Sequence, residues 1–171
     1  HGDSVTGVAF SPNGKLLVTA SNDNTLRVWN VQTGAPVGKP LTGHRDSIKC
    51  LAISPDGRRI VSGAWDNTLI LWDVARGRPA GPPLAGHDGL IRSVAYSGDG
   101  SLIVTGDWKG GVRLWDGHTL AEKGYQAVRY QIWSVVFSAD SEHIVTGSGY
   151  NLSGNPVNQM VAPRCPVLPQ R

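Results

Sequence analysis

The sequence predicts an all-β fold made from one four-stranded unit, present three times and begun a fourth. Two observations carry this. His1, His44 and His87 stand 43 residues apart, and so do Trp29, Trp72 and Trp115. Phe10, Ile53 and Tyr96 keep the same step inside the phrases VAFSPNG, LAISPDG and VAYSGDG. A fourth phrase, VVFSAD, sets Phe137 41 residues after Tyr96, so the linker before it is two residues shorter. Second, valine, isoleucine, leucine and threonine fill short runs between turns that 22 glycines and 11 prolines supply.

The first unit shows how each is divided. Val5 to Phe10 alternates and reads as strand a, closed by the turn Ser11-Pro12-Asn13-Gly14. Lys15 to Ser21 is strand b, followed by a tight polar turn at Asn22-Asp23-Asn24. Thr25 to Val31 is strand c, ended by Thr33-Gly34, and a weaker segment near Val37 to Leu41 is strand d. Four antiparallel strands at a period of about 40–45 residues mark a propeller blade. Residues 1–148 form this repeat domain, about three complete blades and the start of a fourth. Residues 149–171 lose the period, turn to Asn, Pro and Gln, and read as an irregular tail.

Charge narrows the partners. Sixteen basic residues against thirteen acidic give a net charge of +3, without the clustered footprint of a nucleic-acid binder. No stretch has the apolar length of a membrane span, and no signal peptide precedes the repeats. Cys50 lies in a strand and Cys165 in the tail, which reads as two reduced thiols in a cytoplasmic protein, with the nucleus as the alternative location. The chain starts at His1 without an initiator methionine and reads as a fragment of a longer protein.

The pairs Gly43-His44 and Gly86-His87, the pairs Trp72-Asp73 and Trp115-Asp116, and the variant Trp29-Asn30 resemble the WD-repeat family of β-propellers. The likeness covers residues 1 to about 148. It implies a hydrogen-bonded tetrad in each blade, made from a histidine, a strand-b Ser or Thr, a turn aspartate and the strand-c tryptophan. The chemistry is sound, because a buried indole needs an acceptor and a buried imidazole needs both a donor and an acceptor. The first blade offers His1, Thr19, Asp23 and Trp29, and the second His44, Ser62, Asp66 and Trp72. The third offers His87, Thr105 and Trp115 but has Lys109 at the aspartate position, with Asp107 two residues away and expected to fall short. The fourth keeps Thr146, while Val128, Tyr150 and Pro156 replace histidine, aspartate and tryptophan.

A His/Ser/Asp set that recurs in every blade with a tryptophan is architecture, not a catalytic triad, which is needed once. Histidines held one per blade are too far apart to share a metal. No catalytic residue, metal ligand or cofactor is therefore assigned, and the protein is expected not to be an enzyme. Three blades and the inner half of a fourth leave open ends, which predict self-association if they stay uncovered. The strict 43-residue copies, with linkers Gly38-Lys39-Pro40-Leu41 and Gly81-Pro82-Pro83-Leu84, resemble the long, near-identical recognition arrays of fungal proteins that also carry a NACHT domain.

In the WD-repeat family, partner contacts on the narrower face come from three and five residues after the histidine and from just before the turn aspartate. The resemblance therefore implies Ser4, Thr6 and Asn22, then Ser47, Lys49 and Trp65, then Leu90, Arg92 and Trp108, then Gln131 and Trp133. All three tryptophans outside the tetrads fall in this set, beside Lys49 and Arg92. The expected function is a protein-protein interaction scaffold that holds a peptide or protein loop through Lys49, Trp65, Arg92, Trp108 and Trp133. The alternatives are nucleic-acid or polyanion binding through the same patch, and a purely structural segment of a longer array. Edge-shielding by the three tryptophans is the plainer alternative to a contact role.

Overall fold

The computed structural model describes residues 1–148, and every regular element in it is a β-strand. The first blade is β1 (Val5–Phe10), β2 (Leu16–Ser21), β3 (Thr25–Asn30) and β4 (Leu41–Thr42), hydrogen-bonded in that order. The second is β5 (Ile48–Ile53), β6 (Arg59–Ala64), β7 (Leu69–Asp73) and β8 (Arg78–Pro79). The third is β9 (Ile91–Tyr96), β10 (Leu102–Asp107), β11 (Gly111–Asp116) and β12 (Glu122–Ala127). A two-stranded sheet, β13 (Ile132–Phe137) with β14 (Ile144–Ser148), begins a fourth. All pairings are antiparallel, and β1, β5, β9 and β13 lie side by side as the inner strands of an arc. This is a partial β-propeller. Among the described residues no helix is long and apolar enough to cross a membrane.

The a–b turn repeats its chemistry in every unit. The hydroxyl of Ser11 donates to Asn13, Ser54 to Asp56, Ser97 to Asp99 and Ser138 to Asp140, at 2.5–2.8 Å. The same side chains receive the backbone N–H two residues further on, so each turn is closed by its own Asx acceptor.

Strand d departs from the expected Val37 to Leu41. In the first blade its pairing splits into a bridge between Trp29 and Pro36 and a two-residue strand at Leu41–Thr42. Pro36 and Pro40 have no N–H to give the ladder. In the second blade β8 stops at Pro79, and pairing resumes only at Leu84, beyond Pro82 and Pro83. The third blade has no proline between Glu122 and Ala127, and its outer strand runs for six residues.

The core lies between the blades. One apolar cluster joins Val18, Leu26 and Val28 to Ile48, Ile60 and Trp72. A second joins Val61, Leu69 and Leu71 to Ile91, Ile103 and Trp115. A third joins Val104, Val112 and Leu114 to Ile132, Val135 and Ile144. Close approach needs glycine at one repeated place: a Cβ on Gly63 would sit 2.4 Å from Ile91 Cγ2, and one on Gly106 would sit 2.2 Å from Ile132 Cγ2. The same packing rule leaves the leading face of the first blade bare. Val5, Val8 and Phe10 are 56–63% exposed, while Ile48, Leu51 and Ile53 at the same repeat positions pack into the first cluster.

Candidate functional site

Three tetrads are assembled. In the second blade Trp72 Nε1 donates to Ser62 Oγ at 2.8 Å, Ser62 Oγ lies 2.8 Å from His44 Nε2, and His44 Nδ1 lies 3.0 Å from Asp66 Oδ2. In the first, the corresponding distances for Trp29, Thr19, His1 and Asp23 are 2.9, 2.7 and 2.9 Å. With the imidazole in its Nδ1–H tautomer, each chain runs in one direction from indole to hydroxyl to imidazole to carboxylate, and every member is satisfied. Thr25 and Thr68 extend the rows, their hydroxyls donating to Asp23 Oδ1 at 2.6 Å and Asp66 Oδ1 at 2.7 Å.

Burial alone would push the Asp66 carboxyl up. Hydrogen bonds from His44, the Thr68 hydroxyl and the Arg45 N–H outweigh it and hold the group well below the ordinary carboxylate range. The balance in Asp23 and Asp107 has the same sign.

The third blade corrects the expectation that Asp107 falls short. His87 Nδ1 lies 2.6 Å from Asp107 Oδ2, His87 Nε2 lies 2.6 Å from Thr105 Oγ1, and Trp115 Nε1 donates to Thr105 at 2.8 Å. Asp107 ends strand β10, at the repeat position of Ser21 and Ala64, where the side chain points inward and is buried. Its Oδ1 receives the N–H of Lys109 and of Gly111, each at 2.8 Å. Gly111 stands where the other blades carry Thr25 and Thr68, whose N–H groups make the matching bond. The acid thus comes from the strand end instead of the turn. The signal lay in the sequence as the paired change of Thr to Gly at 111 and Ala or Ser to Asp at 107.

In the fourth unit Thr146 is buried and its Oγ1 has no hydrogen-bond partner among the described residues, consistent with Val128 at the histidine position. Tyr150 and Pro156, with the tail, lie outside the described residues.

The other three tryptophans cluster with the cations at the end of the sheets where the inner strands begin. Trp65 and Trp108 follow β6 and β10 directly and donate backbone N–H to Ser47 and Leu90, just before β5 and β9. Lys49 Nζ lies 3.8 Å from the Trp65 ring centroid and donates to Asn22 Oδ1 at 2.5 Å. Arg92 lies 4.3 Å from the Trp133 ring and 5.0 Å from that of Trp108, and these two rings meet edge to face at 5.3 Å. Trp133 is 42% exposed, and Lys49, Trp65, Arg92 and Trp108 are half-buried. The tetrad indoles each donate to a hydroxyl, whereas Trp65 Nε1 is buried without an acceptor among the described residues. No tetrad uses Trp65, Trp108 or Trp133.

Asp140, Glu142 and His143 bring ligand-type atoms within 4.8 Å of one another. They are surface groups of a turn in which Asp140 Oδ1 already accepts from Ser138 and from the Glu142 N–H.

Blades with inner strands side by side, each tied by an indole–hydroxyl–imidazole–carboxylate row, define the chain as a repeat protein of the propeller class. Residues 1–30, 34–73 and 82–116 match the family described as WD domain, G-beta repeat. These matches cover more than half of the chain, and it belongs to that family. A stretch of 39 residues is 46% identical to Striatin from Homo sapiens and, equally, from Mus musculus. That stretch is 23% of this chain and 5% of the relatives' length. Repeats of this family generally mediate protein–protein interaction and are typically non-enzymatic.

Proposed function

We propose that this chain is a recognition module that holds a peptide or protein loop against the rim formed by Lys49, Trp65, Arg92, Trp108 and Trp133. The observation that carries the reading is Arg92 placed against both Trp108 and Trp133, at 5.0 and 4.3 Å, on a surface that no tetrad uses. Large aromatic surface beside arginine is the composition of interface hot spots, where truncation often costs about 2 kcal/mol or more. The aromatic–cation pairs come from successive blades, at matching repeat positions.

The test is selection of short displayed peptides on residues 1–171, compared with the double variant Trp65→Ala/Trp108→Ala. Selected peptides should lose binding to the double variant while its far-ultraviolet spectrum stays that of the parent. Peptides that bind parent and variant alike would overturn the reading.

A further inference from the structure

Lys49 and Arg92 occupy the same position in successive repeats, second in β5 and second in β9, with Thr6 and Trp133 at that position in the flanking blades. Both cations are held over indoles, and neither has a carboxylate within ion-pair distance among the described residues. Their hydrogen-bonding capacity is largely unspent. Lys49 uses one of its three donors, on Asn22. Arg92 donates to no protein group among the described residues, yet none of its nitrogens is a buried orphan, so its guanidinium donors remain open to an incoming acceptor.

The two charges also act on each other. Burial lowers the Lys49 ammonium from its ordinary value, and Arg92 lowers it further, while Asp46 and Asp3 offset part of this from longer range. A carboxylate set between the two cations would relieve that repulsion and fill the open donors, and a guanidinium fits a carboxylate in bidentate fashion.

We propose that the partner segment is acidic, with aspartate or glutamate carboxylates that bridge Lys49 and Arg92 while its apolar atoms rest on Trp65, Trp108 and Trp133. This rests on the recognition reading above and names the chemistry of its ligand. Charge favours a peptide over a nucleic acid: a net charge of +3, without a clustered basic footprint, is small for a phosphate backbone to exploit.

The test uses the peptides selected on residues 1–171 and the variant Lys49→Gln/Arg92→Gln, with fluorescence anisotropy as the readout. Selected peptides should be enriched in Asp and Glu, lose about tenfold or more in affinity for the variant, and weaken as salt is raised. Near-ultraviolet circular dichroism checks that the variant keeps its tryptophan packing. If that packing is lost, parent protein binding an acidic peptide no better than its Asn/Gln counterpart decides against the proposal. Peptides that require Trp65 and Trp108, show no acidic enrichment and bind Lys49→Gln/Arg92→Gln as well as parent would overturn the acidic chemistry and leave the recognition reading standing. Peptides indifferent to both variants would sink both. A labelled oligothymidylate bound more tightly than every acidic peptide would overturn the proposal in favour of nucleic acid.

Discussion

The carboxylate of Asp107 fills the space that a side chain at residue 111 would occupy: a Cβ on Gly111 would lie 2.5 Å from Asp107 Oδ2. The carboxylate is 2% exposed and is at once the partner of His87 and the acceptor for two backbone N–H groups. Asp107 and Gly111 are therefore a matched pair. Gly111→Ala should destabilise the chain by about 1–3 kcal/mol through overpacking, read from urea unfolding. Moving the acid back to the turn, with Asp107→Ala, Lys109→Asp and Gly111→Thr together, should recover most of that loss. A Gly111→Ala protein as stable as its parent would refute the pairing.

The two tryptophan classes should separate in stability. Trp72 is fully buried and bonded to Ser62, so Trp72→Phe leaves a void and takes the indole donor from the Ser62 hydroxyl, which keeps only its bond to His44, with a cost of about 2–4 kcal/mol. Trp65→Phe removes no hydrogen bond and should cost under about 1 kcal/mol. Thermal unfolding of both variants decides it, and equal losses would count against the distinction.

Acid should unfold the protein through the tetrad carboxylates. Asp23, Asp66 and Asp107 titrate below their ordinary value of 3.8 in the folded chain. A lowered folded value means that the stabilisation is present above the unfolded pKa and is lost as pH falls through the folded one. Urea midpoints should therefore change little from neutrality to about pH 5 and drop below about pH 4. Asp66→Asn should be weaker at neutral pH and show a shallower acid drop. An identical acid drop in parent and variant would contradict this.

Cys50 should be silent to thiol reagents while the chain is folded. Its sulfur is buried, lies 3.7 Å from the Gly63 carbonyl, and burial pushes the thiol up to about 12. In a Cys165→Ser background, titration with a chromogenic disulfide at pH 8 should find no free thiol until denaturant is added. Prompt reaction in the native protein would show that the apolar cluster between the second and third blades opens readily.

The repeat was legible from sequence because blades are local. Each strand pairs with its chain neighbour, so Val5–Phe10 and its copies could be read from alternation and turns alone. The d strands were less legible, since Pro40 in the first blade and Pro82 and Pro83 in the second interrupt the pairing while short pieces on either side, at Pro36, Leu41–Thr42, Arg78–Pro79 and Leu84, still pair. The fold class and the period followed from composition and spacing, and the residues of the first two tetrads from the resemblance to the WD-repeat family. Three things belonged to the tertiary structure. Asp107 reaches His87 because the strand end points inward and Gly111 leaves room for it, a distance that repeat alignment does not carry. Lys49 and Arg92 settle on indoles drawn from more than one blade, which depends on how blades pack. Burial at Val5, Val8 and Phe10 depends on whether a neighbouring blade is present, because the same apolar alternation is core where one packs against it and exposed surface where none does.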